Sequence, residues 1–240
     1  MCCSANSWAV IVAAGRGIRF GSGEPKQFAA LAGKPLVLWS VEAFHAHPSF
    51  AGVTLVLPPA SVESPPVWLE RLVSESLLLV AGGLERSDSV RLGLATVPDE
   101  IEYVAVHDGA RPLISRAAIT RVLERVGPGR GAVAARRVTD SLKRTDAAGR
   151  VLRAVDRENL WRAETPQIFP RGPIVDVYRR AEADGVVASD SAGLCERYGL
   201  DVVLVEIEDP NPKVTHPVDL QVVEALLTRR SSSPPAAPGD

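Results

Sequence analysis

The chain has 240 residues with no internal linker or shift in composition, so we expect a single domain over residues 1–230. Its 46% hydrophobic residues are enough for a sizeable core, while a net charge of −2 and a sequence pI near 6.1 argue against a polynucleotide partner. Three cysteines provide neither a disulfide framework nor a zinc motif, and no apolar run approaches the ~18 residues of a membrane span. We therefore expect a cytoplasmic protein that binds small ligands rather than nucleic acid or membrane.

Short apolar runs alternate along the chain with segments in which apolar residues recur about every 3.6 residues. The runs, which predict buried strands, lie at residues 8–12, 53–57, 77–80, 103–106, 132–135 and 202–205. The periodic segments, which predict helices, lie at residues 36–46, 67–74, 89–95, 117–126, 174–183 and 218–227. This alternation predicts an α/β fold with a doubly wound, mostly parallel or mixed sheet of Rossmann-like type. Ligands of such sheets bind beyond the carboxyl ends of the strands.

One segment, residues 137–161, departs from this alternation. It holds two β-like runs, residues 138–143 and 150–155, on either side of a polar turn that ends at Gly149, and it therefore predicts a β-hairpin. A hairpin this polar cannot form a core of its own, so we expect it to project as an arm and to pack on another subunit. Residues 231–240 are rich in Ser, Pro and Ala without periodicity, which predicts a disordered tail.

A glycine-rich, basic loop follows the first predicted strand. Gly15, Gly17 and Gly21 let the backbone approach a polyphosphate, and successive N–H groups in such a loop can turn toward an anion. Arg19 and Lys26 add positive charge where a departing pyrophosphate would accumulate negative charge. We therefore predict that this loop binds a nucleoside triphosphate.

Other interpretations of this region fit less well. The spacing of its glycines is not G-x-G-x-x-G, and the loop is too long for the tight turn of a dinucleotide-binding unit. The later Gly33-Lys34-Pro35 lacks the Ser or Thr of a P-loop and the four-residue spacing before it. A glycine-rich surface turn without function is the remaining alternative, and the two cations at the end of a buried strand argue against it. Neither a dehydrogenase nor a P-loop kinase is favoured.

Polar residues also follow two further predicted strands. Gly82 and Gly83 can admit a flat base, and Ser89 carries a hydroxyl that could bind polar groups of a nucleotide. Asp108 follows another strand directly and is placed to hold Mg²⁺, with Arg111 placed to meet an acceptor phosphate. Isolated Asp-Gly and Ser residues often only cap turns and helices, but all these residues are expected at the same edge of the sheet.

These motifs, together with residues 155–161, 165–167 and 211–215, resemble the 2-C-methyl-D-erythritol 4-phosphate cytidylyltransferase family in the same order over about residues 9–227. The resemblance implies a Rossmann-like nucleotidyltransferase fold and a reaction of CTP with methylerythritol 4-phosphate, in the non-mevalonate route to isoprenoid precursors. It also implies Mg²⁺ and a homodimer whose arm reaches into the neighbour's active site. A sister enzyme acting on ribitol 5-phosphate and a catalytically silent nucleotide-binding regulator remain alternatives.

The resemblance further implies a role for individual residues. Arg19 and Lys26 match the cations that stabilise the transition state on the triphosphate, and Arg157 and Lys213 match the pair that positions the acceptor phosphate. Asp108 matches the carboxylate on the metal side. The nucleotide-binding positions are Ala13, Ala14, Gly15, Gly17, Gly82, Gly83, Ser89 and Gly109. The acceptor-binding positions are Arg111, Ser141, Arg157 and Lys213.

The chain departs from the family's usual residues at several of these positions. Gly109 stands where Ala is usual and Ser141 where Thr is usual, which preserves small size and hydroxyl chemistry. Pro212 precedes Lys213 and could alter the approach of that side chain. The stretch Ser189-Asp190-Ser191-Ala192 also differs, which leaves a role for Asp190 open.

No general base is needed for the implied reaction. A phosphate monoester has a second pKa of about 6 and is already largely dianionic at pH 7, so its oxygen can attack the α-phosphorus of CTP directly. We therefore interpret His107, next to Asp108, as a structural residue rather than a catalytic one.

Overall fold

The computed structural model describes residues 5–15 and 25–232. Gly17 and Arg19 of the glycine-rich loop, and residues 233–240 of the expected tail, lie outside the described residues. The strands are β1 (Ser7–Val12), β2 (Ala30–Leu31), β3 (Lys34–Pro35), β4 (Phe50–Leu57), β5 (Leu77–Ala81), β6 (Tyr103–Asp108), β7 (Arg130–Arg137), β8 (Leu142–Thr145), β9 (Val151–Val155), β10 (Trp161–Pro170) and β11 (Asp201–Glu206).

The helices are α1 (Leu36–His45), α2 (Pro59–Glu63), α3 (Val67–Glu70), α4 (Arg86–Leu94), α5 (Arg116–Leu123), α6 (Arg171–Ala183), α7 (Ser191–Arg197) and α8 (Pro217–Ser232). The short helices α2 and α7 were not predicted, and α3 is shorter than expected. Helix α8 continues to Ser232, past the predicted end at residue 227 and into the first two residues of the expected tail. Among the described residues, no helix is long and apolar enough to cross a membrane.

Seven strands form one mixed sheet in the order β11-β7-β10-β6-β1-β4-β5. All neighbouring pairs are parallel except those of β10, which runs antiparallel to both β6 and β7. The mostly parallel, mixed sheet is confirmed. Strand β10 itself was not predicted, because its buried residues include Glu164, Thr165 and Gln167 and it therefore lacks the apolar run that marks the other central strands.

The core consists of apolar layers on both faces of this sheet. In β1, Ala9 and Ile11 belong to one layer, while Trp8 and Val10 belong to the other. This alternation explains why the central strands read as continuous apolar runs in the sequence. A third, smaller cluster contains Leu31, Leu36, Leu113, Val214 and Val223. It packs α8 against the segment that follows the glycine-rich loop.

The predicted hairpin is present as the antiparallel pair β8 and β9. In its turn, the Asp146 carboxylate accepts hydrogen bonds from the backbone N–H groups of Ala148 and Arg150, and Gly149 adopts a φ of +79° that favours glycine. Both strands are largely exposed, including the apolar residues Val151 and Leu152. The arm therefore shows apolar surface that this chain does not cover in the part described.

Candidate active site

The loops that carry the predicted site residues meet at one edge of the sheet. Val12 at the end of β1 is in register with Asp108 at the end of β6 and with Val56 of β4 on its other side. The connection after β1 leads to β4 on one side, whereas β6 returns on the other, so β1 and β6 flank the point where the strand order reverses. Open α/β sheets bind their ligands at such points, and this edge is therefore where we sought the site.

A cleft of about 380 Å³ opens at this edge. Its walls come from the ends of β1 and β6, the loop before α4, the turn after the glycine-rich loop and the segment before α8. The lining residues are Val12, Ala13, Ala14, Gly15, Lys26, Gln27, Gly83, Leu84, Glu85, Arg86, Ser89, Asp108, Gly109, Ala110, Lys213 and Thr215. We call this space the nucleotide cleft, because it contains most of the residues predicted to bind a nucleotide.

Several glycines are required by close packing behind this cleft. A Cβ atom on Gly82 would lie 2.3 Å from the Ala14 Cβ, and one on Gly83 would lie 2.3 Å from the Asp88 Cβ. A Cβ on Gly109 would lie 3.0 Å from the Ala13 Cβ, a tight contact that requires a small shift. The usual alanine at position 109 is thus harder to accommodate in this chain than glycine.

The hydroxyl of Ser89 is already engaged within the loop. It accepts a hydrogen bond from the Gly83 N–H at 3.2 Å and donates one to the Glu85 carbonyl at 3.2 Å. Ser89 is buried at the wall of the cleft. In this structure it shapes the loop, which orients the backbone of Gly83 at the cleft surface.

A second cleft of about 290 Å³ adjoins the first. Three charged side chains, Arg86, Asp108 and Lys213, line both spaces. The complete lining of the second cleft is Arg86, Asp108, Arg111, Ala163, Glu164, Thr165, Gln167, Ser189, Asp190 and Lys213. We call it the acceptor cleft, because a group bound there lies beside the nucleotide cleft and next to Arg111 and Lys213.

Asp108 is surrounded by cations. Lys213 Nζ donates to Oδ2 at 2.8 Å, and both Nε and Nη2 of Arg86 donate to Oδ1 at 3.2 Å. The Nε of Arg111 lies 3.7 Å from Oδ2. Burial alone would raise the pKa of this carboxyl, but the three neighbouring cations hold it well below its usual range. Asp108 is therefore ionised at any physiological pH. The three positive charges of Lys213, Arg86 and Arg111 outnumber its single negative charge.

Both ring nitrogens of the buried His107 are engaged in hydrogen bonds within the protein. The Arg111 carbonyl can only accept, so His107 Nε2 donates to it at 3.1 Å and Nδ1 accepts from the Thr165 hydroxyl at 3.0 Å. Thr165 Oγ1 in turn accepts from the Asp108 backbone N–H at 3.1 Å. Burial lowers the pKa of His107 to about 4. This agrees with a structural role, in which the ring joins β6 to the unpredicted strand β10.

Two lysines from separate segments of the chain line the nucleotide cleft. Lys26 Nζ donates to the Val214 carbonyl at 2.9 Å, and the Val214 N–H donates to the Ala110 carbonyl at 2.8 Å. Val214 is fully buried, whereas the neighbouring Lys213 has 44% of its side chain exposed. Residues 211–215 are thus anchored so that Lys213 and Lys26 face a common space.

Comparison with known proteins identifies the family of the chain. The family model of 2-C-methyl-D-erythritol 4-phosphate cytidylyltransferase matches residues 7–229. The chain belongs to this family. It is a nucleotidyltransferase, and proteins similar to it include the enzyme of that name from Xylella fastidiosa strain 9a5c, which is 41% identical over 95% of this chain and 99% of the relative. A similar protein from Xanthomonas axonopodis pv. citri is 40% identical over 95% of this chain and 86% of its own length.

Solved structures support the same family and fold. The crystal structure of 2-C-methyl-D-erythritol 4-phosphate cytidylyltransferase from Thermus thermophilus is 33% identical, with a TM-score of 0.74 over 91% of this chain and 98% of that one. The 4-diphosphocytidyl-2C-methyl-D-erythritol synthase from Anaerococcus prevotii has a TM-score of 0.78 over 93% and 96% of the two chains. At 23% identity, the latter supports the fold alone.

The residues predicted on the arm lie apart from the clefts of their own chain. Ser141 and Arg157 are exposed and line neither cleft, and the Arg157 guanidinium donates to the Thr139 carbonyl at the base of the arm. Gly82 lies behind the wall of the nucleotide cleft. The remaining predicted residues within the described part of the chain line one cleft or both.

Sequence reasoning missed Arg86 as a site residue. It lies within the 82–89 motif but was given no role, although it lines both clefts and binds Asp108. A usable signal was present, because Arg86 is the first residue of α4, where the helix dipole disfavours a cation. A cation at such a position indicates an anionic partner, which here is Asp108.

Asp108 alone offers a modest site for a divalent cation. Within residues 5–15 and 25–232, no three His, Cys, Asp or Glu side chains are grouped so that they could hold a metal ion. Mg²⁺ commonly binds through one or two carboxylates plus phosphates of the substrate, and an ionised carboxylate at the boundary of both clefts fits that pattern. The donor set is thus compatible with Mg²⁺ that arrives with a triphosphate.

Proposed function

We propose that this chain is a cytoplasmic enzyme that transfers CMP from CTP to 2-C-methyl-D-erythritol 4-phosphate and releases pyrophosphate, in the non-mevalonate route to isoprenoid precursors. The observation that carries the proposal is the pair of adjoining clefts that share Arg86, Asp108 and Lys213. Two phosphorylated ligands in these clefts would meet at the shared cations. Membership of the cytidylyltransferase family supports the choice of CTP and of the acceptor.

The charges of the site suit a direct displacement. The dianionic acceptor phosphate needs no base, in keeping with a His107 whose two ring nitrogens are both engaged. Lys26 faces the nucleotide cleft, where it would stabilise negative charge that moves onto the leaving pyrophosphate. Lys213 and Arg86 would orient the reacting phosphates at the boundary between the clefts.

Asp108 would hold Mg²⁺ in this reaction. The bound cation would supply charge neutralisation on the phosphate oxygens of the nucleotide. Asp108 stays ionised because of Arg86 and Lys213, and these same cations can transfer to substrate phosphates when the carboxylate binds metal.

A homodimer would complete the acceptor cleft. Ser141 and Arg157 are exposed on an arm with uncovered apolar residues, which supports packing of the arm on a second copy of the chain. We propose that Arg157 of one subunit contacts the acceptor phosphate bound to its partner. This arrangement accounts for a predicted acceptor-binding cation that lines neither cleft of its own chain.

The decisive experiment measures pyrophosphate release with Mg²⁺ across CTP, UTP, ATP and GTP and two acceptors, methylerythritol 4-phosphate and ribitol 5-phosphate. We expect the highest kcat/KM with CTP and methylerythritol 4-phosphate. Faster turnover with ribitol 5-phosphate would assign the chain to the sister activity, and absence of product from every combination would leave only a nucleotide-binding role. Either outcome overturns the proposal.

A further inference from the structure

Glu164 is a buried carboxylate to which the proposed reaction gives no role. It lies in β10 with 9% of its side chain exposed, between two arginines. Arg111 Nη1 lies 3.6 Å from Oε2, and Arg136 Nε lies 3.6 Å from Oε1. Removing a carboxylate from water is costly unless cations compensate it, so both arginines are held to this position by charge.

The two arginines reach the same stretch of backbone. Arg111 Nη1 donates to the Asn211 carbonyl at 2.8 Å. Arg136 Nη2 donates to the Glu208 carbonyl at 3.0 Å and also to the carbonyl of Asp209. A guanidinium can do this because its several N–H groups point in fixed, different directions, one toward a carboxylate and others toward carbonyls.

This stretch keeps its conformation through bonds to other segments, among them the Val214 N–H to the Ala110 carbonyl at 2.8 Å and the N–H groups of Thr215 and His216 to the Asp219 carboxylate at 2.7 Å. Residues 207–216 form neither helix nor strand, so ladder hydrogen bonds do not satisfy their carbonyl groups. The Asn211 side chain donates to the Thr165 carbonyl at 3.1 Å, two residues before Lys213. Together with the two arginines, this bond ties the stretch to β10 on the side of the acceptor cleft.

We propose that Glu164 is a positioning residue for Lys213. It holds Arg111 and Arg136 so that they bind the carbonyls of residues 208–211, and this fixes the backbone from which Lys213 reaches Asp108. The inference rests on the proposed function, because Lys213 is taken to orient a substrate phosphate. Displacement of such a group by about 1 Å can lower a rate by up to ~10²-fold.

The test is a double-mutant cycle on kcat, measured by formation of product from radiolabelled CTP. We expect Glu164→Gln to lower kcat about tenfold in the wild-type chain and less than twofold in the Lys213→Ala chain, since the second background has no lysine to misplace. An equal loss in both backgrounds, or no loss in either, overturns the proposal. Glu182→Gln is the control, because Glu182 is an exposed carboxylate paired with Arg91 at 3.1 Å, and we expect it to change nothing.

Arg136→Lys keeps the inference testable if Glu164→Gln does not fold. A lysine retains the charge beside Glu164 but lacks the planar fork with which Arg136 reaches the carboxylate through Nε and the two carbonyls through Nη2. We therefore expect a kcat loss of about threefold that again disappears in the Lys213→Ala chain.

Amide hydrogen exchange of residues 207–216 gives a readout that does not depend on activity. We expect exchange there to accelerate in both variants, while β1 keeps its protection. A wild-type chain without activity would refute the proposed function, yet exchange would still report on the positioning. Unchanged exchange in both variants overturns the positioning even if the enzyme is fully active.

Discussion

The nucleotide cleft and the acceptor cleft share an edge of the sheet but are built in different ways. The nucleotide cleft is formed mainly by strand ends and short loops, where small residues such as Ala14 and Gly83 bring the backbone to the surface. The acceptor cleft is formed by long charged side chains, including Arg86, Arg111 and Glu164, that come from separate parts of the chain. Shape therefore dominates in the first cleft and charge in the second.

The two clefts therefore differ in the kind of substitution that damages them. A cleft wall built from closely packed backbone is damaged by added volume behind it. A cluster of cations around a carboxylate tolerates small changes of shape. It does not tolerate removal of one charged group, because the oppositely charged groups that remain are then buried without full compensation. Each of the following changes tests one side of this comparison.

The largest effect is expected from Lys26→Ala, which removes charge from the cleft that we describe as shaped by backbone. Loss of one preorganised cation typically lowers a rate about 10²- to 10³-fold, and we expect kcat to fall by at least that much with the fold intact. Steady-state kinetics and circular dichroism check this. Lys34→Ala serves as control, since Lys34 pairs with Glu42 and lines neither cleft. A fully active Lys26→Ala enzyme would refute the assignment.

Arg19→Ala should behave in the same way as Lys26→Ala. Arg19 lies outside the described residues, so this expectation depends on the sequence motif alone. Normal turnover of the Arg19→Ala variant would remove that residue from the proposed mechanism and leave Lys26 unaffected.

The buried ring of His107 makes the stability of the fold depend on pH. Its pKa falls from 6.5 to about 4 on folding, so protons bind the unfolded chain preferentially between these values. The contribution is complete above pH 6.5 and decreases as the pH falls to about 4, by about 3 kcal/mol in total. Urea unfolding between pH 4 and 7 measures it. His107→Gln should flatten the dependence, and a dependence as steep as that of the wild-type chain would contradict the assignment to His107.

Gly82→Ala tests the importance of shape. The new methyl group would lie 2.3 Å from the Ala14 Cβ and 2.8 Å from the Ser89 hydroxyl, so the wall of the nucleotide cleft must shift. We expect a loss of about 1–3 kcal/mol in unfolding free energy together with weaker CTP binding. Gly172→Ala is the control, because among the described residues no atom beyond its chain neighbours and its own helix backbone lies within 4 Å of the added methyl group, and Gly172 lines neither cleft. Calorimetric CTP titration that gives equal affinities for both variants would contradict the shape argument.

Arg157→Ala tests whether the acceptor cleft is completed from outside the chain. We expect the acceptor KM to rise about tenfold with a smaller change for CTP, because a charged hydrogen bond to phosphate is lost. Mixing and reassembling Arg157→Ala and Lys213→Ala subunits should restore activity at low acceptor concentration, since each mixed dimer would contain one intact site. An absence of recovery would place Arg157 in its own chain's site or outside the reaction.

Much of the fold followed from patterns within short stretches of sequence. Apolar runs marked six strands of the main sheet, and the polar turn ending at Gly149 marked the arm, because burial and turn geometry act over a few residues. The nucleotide cleft was predictable for the same reason. Its residues follow directly after strands, and in a parallel sheet those strand ends must meet at one edge.

Tertiary structure decided what depended on distant partners. Strand β10 is central, yet its Glu164 and Gln167 look unsuitable for a buried strand until their partners are known. Arg86 acquires a role only beside Asp108, which lies 22 residues further along the chain. Sequence by itself thus determined six of the seven strands of the main sheet, the longer helices and where phosphates are expected, because those properties are local. Folding decided which charges oppose one another, because the energy of a buried charge depends on groups brought to it from elsewhere in the chain.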